Sequence, residues 1–74
     1  MDELVKAIIQ KVLERYPKAK RIAVENFLFS SVGYEYDTQI KNLYLDARLY
    51  RWNKDTINAI RTGLNVMHIN KLLK

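Results

Sequence analysis

The residues of this sequence best suited to chemistry are cations, and they fall into two groups. The first group surrounds Pro17 and consists of Lys11, Arg15, Lys18, Lys20 and Arg21. Three of these cations open a predicted helix, where positive charge opposes the helix dipole. An acid or a phosphate bound at that helix start would meet both cations and free backbone N–H groups. The pattern indicates an anion site, while a simple solvated turn stays open as the alternative.

The second group of cations is interleaved with aromatic side chains. Arg48, Arg51, Lys54 and Arg61 alternate with Tyr50 and Trp52. Cations that contact phosphates and aromatic rings that stack on bases are typical of nucleic-acid binding. Arginine and tryptophan are equally typical of protein interfaces. Both interpretations are therefore open for residues 48–61.

The side chains that catalysis or metal binding requires are scarce. His68 is the single histidine, the chain has no cysteine, and Ser30 and Ser31 lack a nucleophile motif such as G-x-S-x-G. Gly33 and Gly63 stand alone, whereas phosphate-binding loops need several glycines in close order. We therefore predict no enzyme activity, no cofactor, no metal and no small-molecule substrate, and we place His68 at the surface or at the edge of the core.

Hydrophobic periodicity predicts an all-α fold, a compact bundle of about four short helices. Apolar residues recur at helical spacing in residues 2–16, and Pro17 marks a break before a second helix at 18–32. Asp37 or Thr38 is expected to cap a third helix at 38–52, and Asn53 or Asp55 a fourth at 54–73. Gly63 inside the fourth helix predicts a kink, a close helix crossing or a break.

Length and composition indicate one domain over residues 1–74. The chain is 49% hydrophobic and carries a net charge of +5 that is not confined to either end. A chain this short has a marginal core, and without cysteines the remaining common support is association with another subunit. No run of 18 apolar residues exists, so we expect no membrane span and take the cytoplasm as the default location.

The predicted helices carry more apolar surface than one short bundle should bury. In the third helix, Leu45, Leu49 and Trp52 align at i, i+4 and i+7, away from the expected core stripe. In the second helix, Ile22 and Phe29 lie seven residues apart, opposite its main apolar face. The fourth helix has a second stripe as well. The expected core stripe of the third helix is Ile40, Leu43, Tyr44, Ala47 and Tyr50, and the second stripe of the fourth is Ala59, Val66, Ile69 and Leu73.

Exposed apolar patches usually mark interfaces. We therefore predict a non-catalytic protein that acts by association, as a homo-oligomer whose interface contains Leu45, Leu49 and Trp52 with Ile22 and Phe29. Two alternatives concern the same apolar surface: both stripes pack inside one chain, or a different protein covers them. A third alternative is a small basic nucleic-acid-binding protein that uses residues 11–21 or 48–61.

Overall fold

The computed structural model describes residues 2–74, apart from the side chain of Asp2, and the prediction of an all-α fold with four helices is confirmed. No strand occurs among these residues. Within the same part of the chain, none of the helices is long and apolar enough to cross a bilayer. The helices are α1 (Asp2–Arg15), α2 (Arg21–Ser31), α3 (Tyr36–Tyr50) and α4 (Lys54–Ile69).

The start of α2 lies three residues beyond the predicted position. Residues 17–20 form a turn, closed by a hydrogen bond from Ala19 N–H to the Tyr16 carbonyl at 3.0 Å. The backbone N–H of Lys18 and of Lys20 donate to side chains at the start of α4 instead of remaining free. The prediction that Lys18 and Lys20 belong to the second helix is therefore wrong.

Both ends of α3 differ from the prediction. The N-cap is Glu35 rather than Asp37 or Thr38, and the helix begins at Tyr36. It ends at Tyr50, because Arg51 adopts the left-handed conformation at φ 55° and ψ 49°. This geometry is typical of a helix C-terminus, although it is usually supplied by glycine or asparagine.

The fourth helix is capped as predicted but ends early. Asn53 Oδ1 accepts a hydrogen bond from Thr56 N–H at 3.0 Å, which satisfies one of the free donors of the first turn. Helix α4 ends at Ile69, not at residue 73, and Lys71 at φ 62° reverses the chain. Leu72 and Leu73 then return to the core, where they are 4% and 7% exposed.

The returning segment is held by backbone hydrogen bonds to the loop between α2 and α3. Gly33 N–H donates to the Leu72 carbonyl at 2.9 Å, and Lys74 N–H donates to the Tyr34 carbonyl at 2.8 Å. Tyr36 N–H donates to the Lys74 carbonyl at 3.1 Å. Residues 72–74 therefore close one end of the bundle over the start of α3.

Helix α4 packs against each of the other three helices, and α1 also packs against α2. At Gly63, α4 continues unbroken past Leu28 of α2, so the predicted break is wrong and the predicted close helix crossing is confirmed. The fully buried apolar side chains come from all four helices: Val5, Val24, Leu28, Leu43, Ala59, Ile60, Leu64 and Met67.

Polar contacts complete the packing of α3. Gln39 is 6% exposed, and its Nε2 donates to Ser31 Oγ at 2.7 Å, which in turn donates to the Phe27 carbonyl at 2.6 Å. Asn42 Nδ2 donates to Gln39 Oε1 at 2.9 Å. Unpaired buried polar groups are costly, so this chain of hydrogen bonds fixes one register of α3 against α2.

Candidate functional site

The outer face of α3, formed by Lys41, Leu45, Arg48 and Leu49, points away from the core. Leu45 and Leu49 are 63% and 71% exposed, while Leu43 and Ala47 on the opposite side of the helix are buried. Placing residues at 100° intervals gives the same separation, with Lys41 and Arg48 flanking the leucines on one side and Asp46 on the other. The structure thus leaves a two-leucine apolar patch in solvent.

Trp52 does not extend this patch, contrary to the sequence expectation. Its alignment with Leu45 and Leu49 assumed that the helix continues through residue 52, but the left-handed Arg51 redirects the chain. The Trp52 ring is half-buried and contacts Phe27 edge to face, with ring centroids 6.2 Å apart. Its other neighbour is Tyr50, stacked at 5.8 Å with 22° between the rings.

The α2 residues assigned to the same interface line two different grooves. Ile22 is 66% exposed and borders a groove between α2 and the end of α3. Phe29 is 37% exposed and borders a groove between α1 and α2, together with Ile9 and Leu13. Neither groove is lined by Leu45 or Leu49. The structure therefore does not bring the predicted interface residues together on one continuous surface.

Several other residues of the predicted apolar stripes differ from the prediction in their exposure. Tyr44 and Tyr50, assigned to the core stripe of α3, are 42% and 61% exposed, since the buried part of α3 is narrower than the apolar sequence pattern. Tyr44 Oη instead accepts a hydrogen bond from Arg61 Nη1 at 3.1 Å. In the second stripe of α4, Ala59 and Leu73 are buried, Val66 is half-buried and Ile69 is 78% exposed.

The groove between α2 and α3 has a volume of about 510 Å³ and mixed walls. Phe27, Trp52 and Tyr50 supply aromatic surface, and Asp46 and Asn26 supply polar groups. Lys20 lies at the same groove. Its volume falls in the range of about 300–1,000 Å³ that small-ligand sites occupy.

Hydrogen bonds join the turn at 17–20 to the start of α4. Lys18 N–H donates to Asp55 Oδ2 at 3.2 Å, and Asn53 Nδ2 donates back to the Lys18 carbonyl at 2.8 Å. Lys20 N–H donates to Thr56 Oγ1 at 2.8 Å, and the Thr56 hydroxyl hydrogen-bonds with Asn53 Oδ1. These contacts bring part of the first cation group beside part of the second.

We call the resulting surface the basic end. It contains Lys18 and Lys20 from the turn and Arg51 and Lys54 from the α3–α4 connection, all four exposed. Asp55 is the only acidic residue in segments 17–20 and 51–55, and its carboxylate already accepts from Lys18 N–H. Sequence reasoning found both groups but gave no sign that tertiary hydrogen bonds would bring them together.

The remaining cations lie elsewhere. Lys11 and Arg15 line a groove of about 430 Å³ between α1 and α4, with the Arg15 guanidinium 5.7 Å from the centre of the Tyr16 ring. Arg21 pairs with Glu25 at 3.6 Å, and Arg48 lies on the outer face of α3. The structure therefore does not keep either of the two cation groups of the sequence together on one surface.

The predicted anion position at the start of α2 is partly occupied by the protein itself. The N-cap is Lys20, which makes no side-chain capping bond, and the first turn holds no acidic residue. However, Lys20 N–H donates to Thr56 Oγ1. An anion would therefore meet fewer free donors there than the sequence suggested.

His68 is exposed and stacks on Tyr36, with ring centroids 4.6 Å apart, as its predicted surface position allows. Among residues 2–74, no group of three or more His, Asp or Glu side chains is placed to hold a metal ion. Comparisons of the chain with protein-family models, with curated proteins and with solved structures find no match.

Proposed function

We propose that this chain is a non-catalytic protein that acts by self-association through the outer face of α3. The observation that carries the proposal is the exposure of Leu45 and Leu49, one helical turn apart on a face directly opposite the core. Apolar side chains placed side by side in solvent gain free energy when a partner covers them. We take the cytoplasm, the default location expected from the sequence, as the place where the protein acts.

The size of the patch predicts a weak, concentration-dependent dimer. Burial of a leucine side chain gains ~1.5–3 kcal/mol, and pairing α3 with its copy would cover two leucines from each chain. Association costs ~4–15 kcal/mol in lost freedom of motion, so the leucines must be helped by contacts along their flanks. The flanking charges determine whether a second copy can supply those contacts.

The flanks of the leucines are complementary when two α3 helices run parallel. Lys41 lies on one flank and Asp46, five positions later, on the other. In parallel paired helices the opposite flanks of the two copies face each other, so Lys41 of each copy would meet Asp46 of the other. An antiparallel pair would instead place the two cationic flanks, which carry Lys41 and Arg48, against each other. The charges therefore favour a parallel twofold pair.

The test is the molar mass of the protein, measured by light scattering coupled to size exclusion over a range of concentrations. The proposal expects the mass to rise from monomer towards dimer with concentration, and Leu49→Asp to hold the protein at the monomer mass. Ile69→Asp is the matched control, because Ile69 is the more exposed residue, at 78%, and lies on α4. A strictly monomeric parent, or an equal effect of both variants, would refute the proposal.

A further inference from the structure

A second binding surface lies at the basic end, away from the outer leucines of α3. Lys18, Lys20, Arg51 and Lys54 project from two connections that are hydrogen-bonded to each other through Asn53, Asp55 and Thr56. Thr56 is fully buried and accepts from Lys20 N–H, which ties the turn at 17–20 to the edge of the core, whereas the two hydrogen bonds of Lys18 lie at the surface. The four charges are therefore carried on backbone that is already positioned before any ligand arrives.

The four cations of the basic end form no ion pair within the described residues, although the Asp55 carboxylate lies among them. In the described residues the ion pairs are Lys6 with Glu3 and Arg21 with Glu25, and neither involves these four side chains. Like charges gathered on one surface raise the local potential and attract a polyanion. A ligand with several regularly spaced negative charges fits this surface better than a single small anion.

Aromatic side chains adjoin the cations. Tyr50 is 61% exposed and stacks on Trp52, whose ring in turn rests on Phe27. These three rings and Lys20 line the same groove. A stacked pair backed by the core is a rigid platform, and base stacking on such rings is tolerant of sequence.

The polar groups of the groove determine which part of a polyanion can enter. The Asp46 carboxylate and the Asn26 amide line it together with the rings. A carboxylate repels a phosphate but accepts hydrogen bonds from the amino groups of bases. The phosphates therefore belong on Lys20 at the groove and on the three cations outside it, and a base belongs against the rings inside it.

From this arrangement we infer that the basic end binds single-stranded nucleic acid, with phosphates on Lys18, Lys20, Arg51 and Lys54 and a base against Tyr50 and Trp52. A single strand is required because the bases of a duplex are stacked on each other and cannot reach the rings. This inference does not depend on self-association, since the outer leucines of α3 do not line the groove, although Asp46 borders both surfaces.

Trp52 is the only tryptophan of the chain, so its fluorescence reports on this groove alone. The experiment titrates the full chain with twelve-nucleotide single strands of DNA and of RNA while Trp52 emission and the anisotropy of a labelled strand are followed. We expect quenching on binding. Four phosphate contacts predict that log K falls with log salt at a slope of about −2.8 for single strands between about 50 and 200 mM salt.

Two variants and one control locate the site. Lys18→Gln/Lys54→Gln removes two of the four contacts, so the salt slope should flatten by about 1.4. Tyr50→Ala should weaken binding about tenfold through lost stacking. Lys6→Gln/Lys71→Gln removes the same net charge from α1 and from the turn after α4, and should leave the salt slope near its original value. Circular dichroism confirms that each variant is folded.

Three results would overturn the inference. The first is the absence of binding to either strand at low salt. The second is equal weakening by the Lys6/Lys71 and the Lys18/Lys54 variants, which would mean general charge attraction. The third is binding of a duplex or of inorganic polyphosphate as tight as that of the single strand, with Tyr50→Ala having no effect. Molar mass is measured separately, so failure here does not bear on the dimer.

Discussion

Gly63 of α4 lies so close to Leu28 of α2 that a Cβ on the glycine would stand 2.5 Å from Leu28 Cδ1. Leu28 is fully buried, and its Cδ2 and Cγ would be 3.1 and 3.3 Å from the same Cβ. Displacement of Cδ1 alone therefore cannot relieve the contact. The glycine sets how closely the two helices approach.

We expect Gly63→Ala to lower the free energy of unfolding by about 1 kcal/mol, because overpacking costs ~1–3 kcal/mol and helix propensity returns at most ~1 kcal/mol. Urea denaturation measures the change. In a Leu28→Ala background the same substitution should be neutral or stabilising, since the new methyl group then enters a cavity. Stabilisation by Gly63→Ala in the parent chain would show that the crossing is loose.

The returning segment after α4 should contribute to stability through its side chains. Leu72 is 4% exposed, so Leu72→Ala should lower the free energy of unfolding by ~2–4 kcal/mol through lost burial and an unfilled cavity. Ile69→Ala, three residues earlier at an exposed position, should change it by less than ~0.5 kcal/mol. Thermal and urea unfolding provide both values. Equal effects of the two substitutions would mean that residues 72–74 do not seal the core.

The buried hydroxyl of Thr56 should contribute more to the free energy of unfolding than its methyl group does. Thr56→Val preserves shape but leaves Lys20 N–H without its partner, which should cost ~1–3 kcal/mol in unfolding free energy. Thr62→Val, in the same helix and half-buried, should cost less than ~0.5 kcal/mol. Amide hydrogen exchange should also become faster at Lys20 in the Thr56 variant. Unchanged exchange there would contradict the link between the turn and α4.

The proposed parallel dimer makes a charge-swap prediction. Asp46→Lys places a lysine opposite Lys41 of the other copy at two symmetry-related positions. A loss of ~0.7 kcal/mol of binding free energy at each position should raise the dimer Kd about tenfold. Adding Lys41→Glu should restore the original Kd, because the pair is then reversed rather than removed. Sedimentation velocity over a concentration series measures both. A double variant that stays as weak as Asp46→Lys would exclude parallel pairing.

Local features of the fold were predictable from the sequence. Periodicity located four helices, and the Asn53 cap was recognisable because a cap depends on residues within one turn. The exposure of Leu45 and Leu49 follows from their angle to Leu43 alone. These successes share a cause, since each depends on residues close together in the chain.

The misplaced features depend on contacts between distant residues or on an unusual local conformation. Arg51 ends α3 in the left-handed conformation, which arginine rarely adopts and which its residue type therefore does not predict. This change of chain direction places Trp52 in the groove and not on the outer face of α3. The hydrogen bond from Lys20 to Thr56 joins residues 36 positions apart. Neither the basic end nor the buried Gln39–Ser31 pair could therefore be read from periodicity.

The central position of α4 also governs the order in which the chain can fold. Ala59, Ile60, Leu64 and Met67 are fully buried, and their helix is the last of the four to be synthesised. Without α4, α1 and α2 can pack only against each other, and Leu28 and Leu43 lack the surface that completes their burial. The full core therefore cannot form before the last of the four helices has been synthesised.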